Sequence, residues 1–248
     1  MEGTIDLNAD LGEHPNSDLD ALIMPHLSSC NIACGGHIGD EASVIRTVKL
    51  ATQYSVRIGA HPSYPDRENF GRRTLEMDPI DLRCSLRKQI SLVTDVAEKL
   101  GEELHHVKPH GALYNDAAQN RDTAHLLCEV VHEVDPQLKL YGLAHSILQE
   151  VAVAHNIQFV AEAFVDRQYL SDKALMPRSN DAAVLTDQKK VVAQAQELAI
   201  NKRARAEGWV GISAQTLCLH SDTEGAVNLA AKVKSHLERL GVHITAIQ

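Results

Sequence analysis

No stretch of the 248-residue sequence approaches the roughly 18 consecutive apolar residues that a membrane-crossing helix needs. A membrane span is therefore not expected. The start, "MEGTIDLNADLGE", is acidic where a secretory leader is basic and then apolar, so the sequence reads as cytoplasmic. Basic residues are also in deficit. A formal charge of -9 argues against general affinity for nucleic-acid backbones, which comes from many Lys and Arg contacts to phosphate. The cysteines lack order: Cys30, Cys34, Cys84, Cys128 and Cys218 are odd in number and scattered, which fits reduced thiols better than a disulfide framework. Cys30 and Cys34 stand too far apart for CxxC, and no second pair exists to complete a zinc knuckle. The GxxxxGK[ST] phosphate loop is absent, as is HExxH, and there is no internal repeat, low-complexity tract or linker.

What is present is a globular composition, 44% hydrophobic and 23% charged, with length enough for one large α/β domain over residues 1–248. Short apolar runs recur, each followed by polar residues and a helical pattern: "TIDLNAD", "CNIACG", "VRIGAH", "LHHVKPH", "LKLYGLAH", "IQFVAEAF" and "WVGISAQTLCLH". Such alternation implies a parallel sheet with helical crossovers. Asp40 is expected to cap one helix, and Asp78 followed by Pro79 opens another whose stripe runs Leu82, Leu86, Ile90, Val93 to Leu100 before Gly101 ends it. Asp122, Asp187 and Thr223 read as further caps, and Gly241 closes the last helix. Seven or eight such units in a chain of this length favour a TIM-like (β/α) barrel of mostly parallel strands over an open doubly wound sheet. Asp10, His37, His61, His110, His145, Glu162 and His220 each fall at or just beyond the C-terminal end of a proposed strand, the rim where barrels assemble active sites. Residues 61–77 and 164–186 form long connections of the kind that serve as lids or binding loops.

Asp6, Asn8 and Asp10 occupy alternate positions and so share one face of a strand. Carboxylates there require a partner, such as Lys108 or a metal, because burying them unpaired is costly. Lys108 and His110 likewise share a face, with Pro109 between them and Gly111 permitting close contact. Two readings of Lys108 stay open, a structural ion pair to Asp6 or Asp10 and a contact to substrate or phosphate. In "SCNIACGGHIGDE", Gly35, Gly36 and Gly39 permit a tight turn, and the following helix aims its amides the same way. That corner is structural or ligand-facing, and His37 within it favours the second. Arg67, Arg72 and Arg73, with Arg167 and Arg178, are either a solvated surface or clamps for carboxylate and phosphate. Asp10, His37, His61 and His110 could together hold a metal, although no local spacing specifies one. His105, His125, His132, His155, His236 and His243 receive no role.

The segments "IDLNADLGE" (5–13), "NIACGGHIGD" (31–40), "IGAHPSYPDRENFGRR" (58–73), "HVKPHGALYN" (106–115), "DRQYLSDKALMPR" (166–178) and "AQTLCLHSD" (214–222) resemble those of the LamB/YcsF family, lactam utilization proteins that include the A subunit of bacterial 5-oxoprolinase. Gly36, Glu41, Ala174 and Ser221 depart from the usual family pattern. The resemblance implies a barrel related to glycoside hydrolases and polysaccharide deacetylases. It implies ATP-dependent opening of 5-oxo-L-proline to L-glutamate with release of ADP and phosphate, alongside two other subunits, of B and C type. On that expectation the catalytic residues are Asp10, His37, His61, Lys108 and His110. Substrate contacts fall to Asp6, Asn8, Gly36, Arg67, Arg72, Arg73, Tyr114 and Arg178, with ATP and Mg²⁺ or another divalent cation as co-reactants. The competing expectations are a metal-dependent deacetylase or amidohydrolase without ATP, and a non-catalytic lactam-binding subunit.

Overall fold

The structure is a computed structural model that describes residues 3–14 and 18–248. In chain order its elements are β1 (Gly3–Leu11), α1 (Asp18–Ile23), a 3-10 turn (Met24–His26), β2 (Ser29–Ala33), α2 (Glu41–Tyr54), β3 (Arg57–His61), α3 (Pro79–Lys99), β4 (Leu104–Val107), α4 (Gly111–Gln119), α5 (Arg121–Val134), β5 (Lys139–Leu143), α6 (Ile147–Ala154) and β6 (Phe159–Phe164). Then follow β7 (Tyr169–Ser171), β8 (Ala174–Leu175), α7 (Gln188–Ala199), β9 (Arg203–Arg205), β10 (Trp209–Gly211), β11 (Thr216–Cys218), α8 (Ala226–Arg239) and β12 (Val242–Ile244).

Seven parallel strands, β1 to β6 and β11, close into a barrel through the β11–β1 pairing. The last strand, β12, pairs with Gly3–Ile5 of β1 on the edge that β11 occupies from Asp6 onward, so it extends the seam below β11. Helices cover the outside because one face of each strand is apolar. Ile5, Leu7, Ala9 and Leu11 of β1 join the buried stripes Val44, Val48 and Ala51 of α2 and Leu86, Ile90 and Val93 of α3 in one hydrophobic core.

The helix starts follow local chemistry. Asp40 accepts from the Ser43 amide in a capping box, Asp78 from the Ile80 amide, and Asp187 from the Lys189 and Lys190 amides. Gly101 and Gly241 stop their helices with φ of 78° each. Two expected caps are corrected. The cap of α5 is Asn120, whose side chain accepts from the Thr123 amide, leaving Asp122 in the first turn. The cap of α8 is Gly225, because the Thr223 hydroxyl is spent on Asp166 (2.8 Å). The run "WVGISAQTLCLH" is not one strand. Its first part is β10, paired antiparallel with β9, and its second is barrel strand β11. The 164–186 connection, expected to be irregular, contains the antiparallel β7–β8 hairpin.

Inside the barrel the usual apolar filling is replaced by polar side chains. Asp6 accepts from Ser28 (2.5 Å), Ser29 (2.7 Å) and Thr216 (2.6 Å) at the bottom. Burial pushes its carboxyl upward and those three hydroxyls oppose the shift. One layer higher, the Asn8 amide donates to Glu162 and Thr216 (2.8 Å each) and Asn31 donates to Asn8 and Asp10 (2.8 Å each). His106 donates from Nε2 to Asn31 (2.8 Å) and stacks on Tyr141 at 3.9 Å. It fits only because its neighbour is Gly59: a Cβ there would lie 2.1 Å from His106 Nε2.

Candidate functional site

The top of this polar column opens into a cavity of about 470 Å³ at the C-terminal mouth of the barrel. Its floor is set by alternation. Asp10 ends the inward-facing row Asp6, Asn8, Asp10 of β1, and Lys108, just past β4, continues the inward row from His106. Lys108 is 2% exposed, and its ammonium lies 3.0 Å from Asp10 Oδ1, 2.9 Å from Glu162 Oε1 and 3.2 Å from Asn8 Oδ1. Burial works against its charge, but Asp10 and Glu162 more than compensate and hold the ammonium protonated, well above its ordinary range. Burial also opposes the charge of Asp10, yet His61 and Lys108 bring its carboxyl well below the usual carboxylate range.

Three imidazoles gather beside this pair. His61, the last residue of β3, donates from Nδ1 to the Lys108 carbonyl (2.7 Å) and turns Nε2 toward Asp10 Oδ2 (3.3 Å). Burial alone would lower its pKa; the Asp10 and Glu13 carboxylates raise it overall. His110 donates from Nε2 to the Phe70 carbonyl (3.0 Å) and places Nδ1 3.0 Å from His61 Nε2. Glu13, in the turn after β1, faces His37 Nε2 at 2.8 Å, His110 Nδ1 at 3.3 Å and His61 Nε2 at 3.8 Å. Its carboxyl is held far below the ordinary value: burial opposes the charge, and the His110 and His37 imidazoles beside it overcome that.

The mouth carries the opposite sign. Asp222 is shared by Arg72 (2.7 Å) and Arg178 (3.5 Å), and all three residues are partly exposed on the cavity wall. Arg72 also lies over the Phe70 ring at 5.0 Å. Tyr114, on α4, lines the cavity with its hydroxyl buried and unpaired, and burial followed by the nearby Glu162 charge pushes that phenol well upward. Beside it, Asp166 grips the His220 backbone amide (3.0 Å), His220 Nδ1 (2.9 Å) and the Thr223 hydroxyl (2.8 Å), fixing the loop after β11.

Thus Asp10, His61, Lys108, His110, Arg72, Tyr114 and Arg178 converge on one cavity. The other expected contacts lie elsewhere. Asp6 and Asn8 are sealed below Lys108 by hydrogen bonds within the barrel. Gly36 packs on Ser63 and Gln89, where a Cβ would approach within 2.4 Å and 2.3 Å of side-chain oxygens, so its role is close packing and not ligand contact. Arg67 donates to the Gly35 and Gly39 carbonyls (3.2 and 3.1 Å), pinning that turn, and Arg73 is exposed outside the cavity. His37 stands behind Glu13 and donates from Nε2 to its carboxylate (2.8 Å), with Nδ1 3.1 Å from the Ser63 hydroxyl. Burial lowers its pKa to about 4, so this ring is neutral and orients Glu13. Lys108 pairs with Asp10, as one reading had it, and with Glu162; Asp6 takes no part. Glu13, Asp166 and Asp222 went unassigned in the sequence because they follow strand ends, where alternation no longer reports direction.

Fold and site together define a closed α/β-barrel protein with an ionisable cavity at the carboxyl mouth of its strands. The chain belongs to the LamB/YcsF family, whose model matches residues 5–248. It is 39% identical over 244 residues to the 5-oxoprolinase A subunit of Histophilus somni, covering 98% of both chains. To the protein of the same name from Haemophilus influenzae it is 38% identical, covering 98% of this chain and 99% of that one. The crystal structure of the lactam utilization protein from Thermus thermophilus superposes with a TM-score of 0.91 at 36% identity, covering 98% of this chain and 100% of that one. No helix among the described residues is long and apolar enough to cross a membrane.

Proposed function

We propose that this chain is the lactam-binding, reaction-bearing component of an ATP-dependent 5-oxoprolinase, completed by subunits of B and C type. The observation that supports this most directly is one cavity with two chemically distinct ends, a buried Lys108 clamped by Asp10 and Glu162 at the floor and the Arg72–Asp222–Arg178 cluster at the mouth. 5-Oxoproline has matching ends, a carboxylate and a cyclic amide. Its carboxylate takes over the guanidinium groups from Asp222, and its amide carbonyl reaches Lys108. The names of the relatives point to the same substrate.

A five-membered lactam is a resonance-stabilised amide, and coupling to ATP makes its opening favourable. The amide oxygen attacks the γ-phosphorus and ADP leaves. Water then adds to the activated carbon, the C–N bond breaks with a proton going to nitrogen, and a second water cleaves the resulting acyl phosphate to glutamate and phosphate. Lys108 neutralises charge on the oxygen as the phosphoryl group arrives, and the Glu13–His61–His110 wall holds the attacking water. The chain has no GxxxxGK[ST] motif, so a phosphate loop of that type does not hold the nucleotide, and a divalent ion such as Mg²⁺ would supply charge neutralisation at its phosphates.

The test is reconstitution with both partners. Lys108→Ala should abolish lactam-dependent ATP turnover, a loss of at least about 100-fold. A wild-type rate in that variant removes Lys108 from the chemistry. Turnover of 5-oxoproline by the isolated chain without ATP would select the amidohydrolase reading instead.

A further inference from the structure

We propose that Asp10, Glu13, His61 and His110 form a binding site for one transition-metal ion of the Zn²⁺ or Co²⁺ type, an inference independent of which lactam is opened. The first ground is the placement of protons. Backbone carbonyls only accept hydrogen bonds, so the Lys108 carbonyl fixes a proton on His61 Nδ1 and the Phe70 carbonyl fixes one on His110 Nε2. The remaining nitrogens, His61 Nε2 and His110 Nδ1, face each other across 3.0 Å beside the Asp10 and Glu13 carboxylates, so the pair calls for a cation, either a proton on one ring or a metal ion that takes its place. Two lone pairs at that distance repel unless a cation lies against them. Metal-binding imidazoles are oriented in this manner, with the outer N–H given to a carbonyl or carboxylate.

Geometry is the second ground. A tetrahedral ion with bonds of about 2.0–2.1 Å has its ligand atoms about 3.3–3.4 Å apart. Four of the six ligand pairs lie at 3.0 Å (His61–His110), 3.3 Å (His61–Asp10), 3.3 Å (His110–Glu13) and 3.8 Å (His61–Glu13), and the ligand atoms of Asp10, His61 and His110 all fall within 4.8 Å of one another. Asp10 is held for the purpose, since Oδ1 takes Asn31 and Lys108 and leaves Oδ2 turned to His61. His37 is excluded from the same ion. Its ring stacks on His110 at 3.7 Å and 3°, so the in-plane lone pairs of the two rings run in parallel, separate planes. Its place is as the outer partner of Glu13.

Charge is the third ground. Asp10, Glu13 and Glu162 bring three formal negative charges against the single positive charge of Lys108, and one divalent ion brings the sum to zero. The two imidazole donors select a borderline ion over Mg²⁺, which prefers oxygen and water. All four ligand residues line the cavity, so the fifth position of a five-coordinate ion faces it, open to water or an amide oxygen.

The test uses the full chain, stripped with chelator and titrated with ZnCl₂ against a chromophoric competitor, and separately with CoCl₂ followed by visible absorption. One ion per chain is expected, with the ligand-field bands of four- or five-coordinate cobalt. Asp10→Asn and His110→Gln should each weaken binding by about 100-fold or more, while His37→Gln should weaken it by about 10-fold. A wild-type chain that takes up no ion at micromolar concentration overturns the proposal, as do Asp10→Asn and His110→Gln variants that bind like wild type. If those variants do not fold by circular dichroism, anomalous scattering from a zinc-soaked wild-type crystal decides: a peak among the four side chains supports the site, and its absence there refutes it. Neither lactam nor nucleotide enters these measurements, so they are separable from the turnover assay.

Discussion

Gly59 shows how much of the site depends on an atom that is missing. His106 occupies the volume that any Cβ at position 59 would fill, and through Asn31 it supports both Asn8 and Asp10. Gly59→Ala must expel or rotate His106, an overpacking that should cost about 1–3 kcal/mol in a denaturant titration. An unchanged midpoint would mean that the ring relocates freely. Single residues also show what the sequence could and could not say. Alternation along β1 and through Lys108 identified Asp10 and Lys108, since a strand's two-residue period fixes which side chains share a face. Glu13 stands three residues after Asp10, in the turn beyond β1, and no period governs it. Its signal was only an acid immediately after a strand whose inner face is already acidic. Arg67 and Arg72 come from one basic run, yet the first turns to carbonyls of the neighbouring loop and the second to the cavity, a division set by the tertiary path.

Among elements, the six strands β1 to β6 were legible because each is a short apolar run ended by polar residues, and the helices α2 and α3 because their caps and stripes are strong. The stretch from 165 to 215 was legible only at Asp187, the cap of α7. Its β7–β8 and β9–β10 hairpins are two or three residues long per strand, below the length at which periodicity carries information. That excursion is tied back to the barrel by Asp166, which sits just past β6 and binds the loop after β11. Burial disfavours its charge, but His220 and its other donors hold the carboxyl below its ordinary value of about 4. A carboxyl depressed on folding contributes stability that is present above the unfolded value and lost as pH falls through the folded one. Unfolding free energy should therefore fall by roughly 1–3 kcal/mol more in wild type than in Asp166→Asn between pH 5 and about pH 2. Equal losses in both proteins would show that the link contributes nothing.

For the whole molecule, closure of the barrel joins the two ends of the chain: β1 receives β2 on one side and β11 with β12 on the other. A closed circuit of seven or eight strands followed from counting apolar runs, whereas the polar filling of its interior did not, since Ser29, Asn31, His106 and Thr216 look like ordinary strand residues until the ring is closed around them. The contacts that assemble the site are long-range. Lys108 meets Asp10 across 98 positions of sequence, Asn8 meets Glu162 across 154, and Arg72 meets Asp222 across 150.

A ribosome making this protein therefore exports helices and most of a sheet well before anything resembling a pocket can exist, because β11 and its following loop are made after the other six barrel strands. Stopped-flow refolding should show ellipticity returning ahead of ligand capture, since distant pairings form last. Truncated products ending before Thr216 would keep much of the secondary structure while lacking the strand that completes the ring, leaving raw edges for chaperones and proteases to find.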